Sequence, residues 1–174
     1  QVGETKPFDD NRGSLSWQVP FKAGTLKAEA LDAEGKVVAT YSITTSLRPY
    51  ALKAVADKTD LSEAGSVSII TIDILDDNGN PVRLADNEIP CTVSGPATLL
   101  GLEAANGSDT GNYNDNVQRA FHGRMVAYVR SNGQPGNITV NFTSPLLKSA
   151  SVKLESHRYT KLEDIQMSVS VIEE

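Results

Sequence analysis

Apolar and polar residues alternate along most of this chain with a period of two, and short turn-forming segments interrupt the alternation. This period places successive side chains on opposite faces of an extended strand, and no segment shows the sustained 3.6-residue period of a helix. In the first block the pattern predicts three strands, at residues 15–21, 24–31 and 36–43. Three strands are few for a β-sandwich, which normally has about seven.

A second and fuller set of strands follows a linker at residues 44–49, where Pro49 interrupts backbone pairing. The longest covers residues 67–75, and both of its faces are mostly apolar near the middle, so we expect a central strand. Ile70, Ile72 and Ile74 share one face, and Val67, Ile69, Thr71, Asp73 and Leu75 share the other. The remaining strands are predicted at residues 51–56, 88–94, 97–101, 118–121, 124–130, 137–143 and 149–155. This succession predicts an all-β fold, an immunoglobulin-like β-sandwich preceded by the last strands of a second, truncated β-sandwich.

The pattern divides the chain into three parts. Residues 1–47 are interpreted as the C-terminal part of an incomplete β-sandwich domain, and residues 48–156 as the immunoglobulin-like sandwich. Residues 157–174 form a C-terminal tail in which residues 165–172 alternate well enough to be one extra strand. One hypothesis is that this strand pairs with the first block, in the same chain or in a neighbouring one. Fast amide exchange throughout residues 165–172 would contradict it.

Charge and cysteine content exclude several classes of function. The 174 residues carry a formal net charge of −6, and lysine and arginine are scattered singly, so nucleic acid is a poor candidate partner. The longest apolar runs are far shorter than the ~20 residues that a membrane span needs, so we expect no membrane insertion. The one cysteine, Cys91, lies in an apolar-leaning predicted strand and is expected to be a small buried hydrophobe.

Candidate reactive groups do not form a catalytic or metal-binding pattern. The acidic residues lie mostly in predicted turns, where carboxylates usually accept hydrogen bonds from backbone amides. His122 and His157 lie on different elements, and neither has a cysteine or second histidine nearby that would complete a zinc site. A group of oxygen-bearing side chains suits calcium by residue type, but its spacing fits a turn better than a calcium-binding loop: Asp73, Asp76, Asp77, Asn78 and Asn80. We therefore expect no catalytic residue, no metal site and no cofactor.

The segment at residues 102–117 is the best candidate for a functional surface, because so long a loop is uncommon in a compact sandwich. The candidate site residues are Asn106, Asp109, Tyr113, Asn114 and His122. Tyr113 could stack on a sugar ring while the flanking polar groups hydrogen-bond its hydroxyls. The alternative, which we favour, is that the loop docks against a neighbouring domain. For Trp17, core packing beside Val19 and Phe21 is favoured over a sugar platform.

Two groups of segments together resemble one protein family. Residues 10–13, 15–21, 24–28 and 35–40 resemble the last strands of a β-sandwich that follows the catalytic barrel in glycoside hydrolase family 2, in β-galactosidase-like enzymes of Bacteroides-type bacteria. Residues 57–61, 76–82, 106–107, 119–123 and 126–131 resemble the terminal immunoglobulin-like domain of those enzymes. Ser108 and Asp109 stand where the family pattern has an Asp-Pro pair.

The resemblance implies a non-catalytic C-terminal accessory region that braces the catalytic barrel, with carbohydrate contact as a further expectation. Its partners would be the catalytic and other β-sandwich domains of a bacterial enzyme that is periplasmic, on the cell surface or secreted. The family's catalytic glutamates belong to the barrel, so none is carried over, and the first sandwich is expected to begin upstream of Gln1. Two alternatives stay open: an immunoglobulin-like repeat of a bacterial surface adhesin, and a dedicated carbohydrate-binding module.

Overall fold

The computed structural model of the chain describes residues 2–8, 13–62 and 65–157. Within these ranges it contains eleven strands and no helix, which confirms the all-β prediction. The strands are β1 Thr25–Leu31, β2 Val37–Thr44, β3 Ala51–Ala56, β4 Asp60–Leu61, β5 Val67–Leu75, β6 Glu88–Ser94, β7 Ala97–Glu103, β8 Val117–Arg119, β9 Arg124–Ser131, β10 Gly136–Phe142 and β11 Ala150–Ser156. The strand predicted at residues 165–172 lies outside the described residues.

The chain forms two compact units, residues 1–45 and 46–174. The first unit contains the hairpin of β1 and β2, which pair antiparallel with Leu26 opposite Ile43 and Ala28 opposite Tyr41. Its turn is held by the Asp32 carboxylate, which accepts hydrogen bonds from the backbone N–H groups of Lys36 (2.7 Å) and Glu34 (3.2 Å). Every residue of both strands is exposed. The predicted boundary between residues 47 and 48 stays a prediction.

Two predictions for the first unit are wrong. Residues 15–21 do not form a strand, because no described segment supplies the backbone partners that a strand requires. Trp17 is not a core residue: its side chain is 42% exposed. Its indole N–H donates to the carbonyl oxygen of Glu4 (2.8 Å), and the Lys6 ammonium group lies 5.4 Å from the ring centroid.

The second unit is a sandwich of two sheets. One sheet has the strand order β3-β5-β9-β7, and the other has the order β4-β11-β10-β6-β8. The first order corresponds to strands A, B, E and D of an immunoglobulin domain, and β6, β10 and β11 correspond to C, F and G. The immunoglobulin-like prediction is therefore confirmed. The sequence pattern did not predict β4, a two-residue strand that pairs parallel with β11.

The core lies between the two sheets and follows the predicted alternation. Strand β5 pairs with both β3 and β9, so it is the central strand that its sequence indicated. Ile70, Ile72 and Ile74 point into the core and are fully buried, whereas Ile69 on the opposite face is exposed. Cys91 is also buried, as predicted, and burial raises the pKa of its thiol to about 12. No helix in the described ranges could cross a membrane.

Asp76 fixes the turn that follows β5. One carboxylate oxygen accepts hydrogen bonds from the backbone N–H groups of Asn78 (3.0 Å) and Asn80 (2.7 Å). The other accepts from the Leu47 N–H (2.9 Å) and from the side-chain amide of Asn80 (3.2 Å). The Leu47 hydrogen bond is the main reason that the pKa of Asp76 is lowered, although burial opposes it. The predicted turn is confirmed, and this carboxylate binds backbone amides.

Candidate functional site

The long loop leaves the sheet at a bulge in β7. Pairing with β9 runs from Leu99 opposite Val129 directly to Gly101 opposite Tyr128, so Leu100 is an extra residue. An extra residue of this kind bends an edge strand and redirects its side chains. The bulge therefore places Gly101 opposite Tyr128, which the alternation of β9 puts on the outer face of the sheet, beside the start of the loop.

Gly101 allows the loop to return over this edge. The Leu102 N–H donates to the carbonyl oxygen of Tyr113 (2.8 Å), which joins the far part of the loop to β7. A Cβ atom at residue 101 would lie 2.6 Å from the same carbonyl oxygen, far inside normal contact distance. Only glycine fits there without a shift of the backbone, so Gly101 and Tyr113 together set the position of the loop.

Most asparagine and aspartate side chains of the loop stabilise its turns. Four of them accept a hydrogen bond from the backbone N–H group two residues ahead: Asn106, Asp109, Asn112 and Asp115. Such side-chain turns replace the backbone pairing that the loop lacks. These oxygen atoms are therefore engaged within the loop.

Tyr113 is held by Asp109. Its hydroxyl donates to the backbone carbonyl oxygen of Asp109 (2.9 Å), and the Asp109 carboxylate accepts from the Gln118 side-chain amide (2.9 Å). The tyrosine side chain is nevertheless 40% exposed. The arrangement fixes the hydroxyl edge of the ring and leaves part of its surface accessible.

A groove of about 650 Å³ lies between the loop and the outer face of β7. It is lined by residues 100–103, by residues 105–107, and by Tyr113, Asn114 and Tyr128. The Tyr128 hydroxyl donates to the Glu103 carboxylate (3.1 Å) at one wall. Burial, and then this hydrogen bond, raise the pKa of Tyr128. The groove thus combines two tyrosine side chains with one carboxylate and two asparagine side chains.

The structure brings most of the predicted site residues together. Asn106, Tyr113 and Asn114 line the groove, and Asp109 holds Tyr113 in place. His122 does not line it: the residue occupies the turn between β8 and β9, with a φ of 51° and its ring edge-on to Phe121 at 4.1 Å. Glu103, which lies in the candidate segment at residues 102–117, and Tyr128 were not among the predicted site residues. The alternation of β9 could have indicated Tyr128, because it places this residue on the face opposite the core.

Within the described residues, the acidic residues that suggested a calcium site do not form one. Asp73 on β5 forms a bidentate ion pair with Arg124 on β9: the guanidinium group donates to both carboxylate oxygens, at 2.7 and 2.9 Å. This pair raises the pKa of Arg124. In the parts of the chain that the structure describes, no three histidine, cysteine, aspartate or glutamate side chains are grouped as metal ligands.

Comparison with known proteins identifies the family. Residues 52–153 match the sequence model described as glycoside hydrolase family 2 C-terminal domain 5. This chain belongs to that family. Residues 1–39 of this family 2 chain separately match a domain of unknown function, DUF4982. The resemblance seen in the sequence is thereby confirmed.

The relatives of this family 2 chain are large glycosidases. The chain is 30% identical over 143 residues to the beta-galactosidase BoGH2A of Bacteroides ovatus, covering 82% of this chain and 17% of that protein. A beta-glycosidase structure from Bacteroides vulgatus has a TM-score of 0.78 and 33% identity, over 86% of this chain and 19% of that one. A family 2 member from Bacteroides cellulosilyticus has a TM-score of 0.80 and 26% identity, over 90% and 20%. The chain therefore spans about a fifth or less of the length of these relatives.

Proposed function

We propose that this chain is a non-catalytic C-terminal accessory region of a family 2 glycoside hydrolase. It braces the catalytic barrel and other sandwich domains of a longer polypeptide. Membership of a C-terminal domain family supports this role, and so does the small share of its relatives that the chain spans. The proposal includes a periplasmic, cell-surface or secreted location for the bacterial enzyme, which fractionation of the producing cells would test.

The observation that carries the bracing role is the apolar face of the β1–β2 hairpin. Leu26, Ala28 and Ala30 of β1 share this face with Ala39, Tyr41 and Ile43 of β2, since these residues are opposite one another in the register. Tyr41 is 68% exposed and Ile43 is 53% exposed. A hairpin with one apolar face needs a second layer for stability. We propose that the rest of the longer polypeptide covers this face.

The sandwich offers a second contact surface in its loops. Leu84 is 92% exposed and Leu146 is 101% exposed, each in a loop beside β6. The Ser144 hydroxyl, in the second of these loops, donates to the Glu88 carbonyl oxygen at the start of β6. The two leucines therefore lie at the same end of the sandwich, and large exposed apolar side chains are suited to a contact between domains.

Removing the apolar side chains of the hairpin tests this role. The double substitution Tyr41→Ser and Ile43→Ser is introduced into the longer polypeptide and into the present chain, with Lys27→Ser on the polar face as the matched control. We expect the double variant to lower the melting temperature of the longer polypeptide by several degrees and that of the present chain very little. An unchanged melting temperature of the longer polypeptide would contradict the bracing role.

The non-catalytic assignment has its own test. The purified chain is incubated with aryl β-galactosides and aryl β-glucuronides, and release of the aryl alcohol is followed. We expect no turnover above the buffer rate, because glycoside hydrolysis usually needs two carboxylates across a cleft and the lining of the groove contains one, Glu103. Turnover that persists through repeated purification would refute the assignment.

A further inference from the structure

We propose that the groove lined by Tyr113 and Tyr128 binds the ring of one neutral sugar residue. In this site the two tyrosines supply apolar ring surface, and Glu103, Asn106 and Asn114 supply polar atoms for sugar hydroxyls. The inference goes beyond the bracing role, because it assigns a ligand to a surface that bracing does not require.

The size and composition of the groove fit a small ligand. Its volume of about 650 Å³ lies within the usual range of roughly 300–1,000 Å³ for small-molecule sites. Such sites combine a mainly apolar and aromatic lining with a few polar groups that orient the ligand. Here Leu100 and Ala105 add apolar surface to the two tyrosines, and three polar side chains are spread along the same groove. A sugar ring has both characters, with C–H groups on its faces and hydroxyls at its rim.

The two tyrosines are positioned before any ligand arrives. The Tyr113 hydroxyl is bonded to the Asp109 carbonyl oxygen, and the Tyr128 hydroxyl is bonded to the Glu103 carboxylate. Binding therefore orders few side chains, and the entropy that it loses is small. Since each hydroxyl donates its hydrogen within the chain, the rings offer a ligand their apolar surfaces and the acceptor capacity of the hydroxyl oxygens.

The charge of the groove selects between kinds of sugar. Glu103 is the charged side chain of its lining, and no lysine, arginine or histidine is among the lining residues. Its carboxylate receives one hydrogen bond from the residues that the structure describes, so it retains capacity to accept from a sugar hydroxyl. A sugar acid would place a second carboxylate near Glu103 and be repelled. We therefore expect neutral glycosides to bind and uronides to be excluded.

Two glycosides that differ only at C6 test the inference: methyl β-D-galactopyranoside, and methyl β-D-galacturonide with its carboxylate at C6. Each is titrated into the 174-residue chain while backbone amide shifts are followed by NMR. We expect the neutral glycoside to shift the amides of residues 101–107, Tyr113 and Tyr128, with a Kd of about 1–10 mM. We expect the uronide to bind at least about tenfold more weakly. No shift with about 50 mM neutral glycoside, shifts only outside the groove, or equal binding of both glycosides would overturn the inference.

Variants separate the ring surface from the charge. Tyr113→Ala should weaken binding of the neutral glycoside about tenfold, whereas Tyr113→Phe, which keeps the ring, should retain most of it. Tyr50→Ala, which removes an exposed tyrosine outside the groove, is the matched control and should leave the affinity for the glycoside unchanged. Glu103→Gln should raise the affinity for the uronide toward that for the neutral glycoside, and an unchanged preference would overturn the charge argument. If the bracing role fails, the melting temperature of the longer polypeptide stays unchanged with Tyr41→Ser and Ile43→Ser, and the amide shifts caused by the glycoside are not affected by that result.

Discussion

In the first unit the β1–β2 hairpin exposes every strand residue, whereas in the second unit alternate residues of β5, β9 and β10 are buried. Both units have the same kind of sequence pattern and antiparallel pairing. They differ in whether a second sheet covers the apolar face. The comparison shows that alternation and pairing determine a hairpin, while burial depends on a further layer that the local pattern does not specify.

The largest expected difference between the units comes from removing one isoleucine side chain in each. Ile72, fully buried in β5, and Ile43, 53% exposed in β2, form a matched pair. We expect Ile72→Ala to lower the free energy of unfolding by about 2–5 kcal/mol, through lost burial and the cavity that remains. Ile43→Ala should change it by no more than about 0.5 kcal/mol. Urea unfolding measures both values.

The labelling rate of the single cysteine, Cys91, measures how often the core of the second unit becomes exposed. Cys91 is buried and its thiol has a pKa of about 12, so labelling requires the second unit to open. Ile72→Ala should speed labelling of Cys91 by a thiol reagent, and Ile43→Ala should not. If both substitutions speed the labelling of Cys91 equally, the difference in burial between Ile72 and Ile43 does not produce a difference in stability.

Glycine is required for different reasons in the two units: close packing at Gly101 and backbone conformation at Gly35. Substitution by alanine at each position tests this. Gly101→Ala would place a Cβ atom 2.6 Å from the Tyr113 carbonyl oxygen, and we expect a loss of about 1–3 kcal/mol. Gly35, in the hairpin turn, has a φ of +80° and open space around it, so Gly35→Ala should cost about 1–2 kcal/mol through backbone strain.

Asparagine distinguishes the two causes, because it tolerates a positive φ but needs more room than alanine. Gly35→Asn should therefore be milder than Gly35→Ala, and Gly101→Asn should be at least as damaging as Gly101→Ala. Amide exchange at Leu102, whose N–H donates to Tyr113, should speed up only in the Gly101 variants. If the asparagine variants rank the other way, the assignment of causes is wrong.

The sequence predicted those features of the fold that depend on neighbouring residues. The faces of β5 and the turn at Asp76 follow from local alternation and local hydrogen bonding, and both are confirmed. Residues 15–21 have an equally good alternation but form no strand, because a strand also needs a partner that its own sequence cannot supply. The pattern could not indicate β4, because two residues are too few to show a period.

The groove was predicted only in part, because some of its lining depends on the pairing of strands that are distant in sequence. Tyr113 and Asn114 were found because they lie in an unusually long polar loop, which is a local property. Tyr128 lies within β9, whose alternation indicates the face of this residue but not its neighbours, and only the bulge at Leu100 brings it opposite Gly101. The register between β7 and β9 determines that Tyr128 lies opposite Gly101, so the sequence of either strand alone does not predict this pairing.

One turn aspartate in each unit gives a further comparison, with a smaller expected effect on stability. Asp76 is buried and accepts four hydrogen bonds, including one from Leu47, whereas Asp32 accepts two in the hairpin turn. We expect Asp76→Asn to lower the melting temperature of the second unit by several degrees at pH 7, because it removes the charge and one acceptor. Asp32→Asn should change the stability of the chain by no more than about 0.5 kcal/mol.

The pH dependence of the Asp76 effect follows from its lowered pKa. The folded-state pKa lies below the unfolded value of 3.8, so the carboxylate stabilises the fold fully above that value. This stabilisation is lost as the pH falls through the folded-state pKa. The difference in melting temperature between the wild type and Asp76→Asn should therefore shrink below pH 3.8. A difference that stays constant down to pH 2 would show that the charge is not what stabilises the turn.

The smallest expected effects come from one surface ion pair in each unit. Arg124 and Asp73 form two hydrogen bonds across neighbouring strands, whereas Lys27 and Glu29 lie two residues apart on one strand, at 2.6 Å. We expect Arg124→Lys to cost up to about 1 kcal/mol, because lysine cannot reproduce the paired geometry. Lys27→Ala should cost close to nothing, since an exposed flexible pair gains little over water. A double-mutant cycle for each pair, with Asp73→Asn in the first and Glu29→Gln in the second, measures the coupling energy. We expect added salt to weaken the coupling of Arg124 with Asp73 only slightly. Equal coupling in the two pairs would mean that geometry contributes nothing beyond proximity.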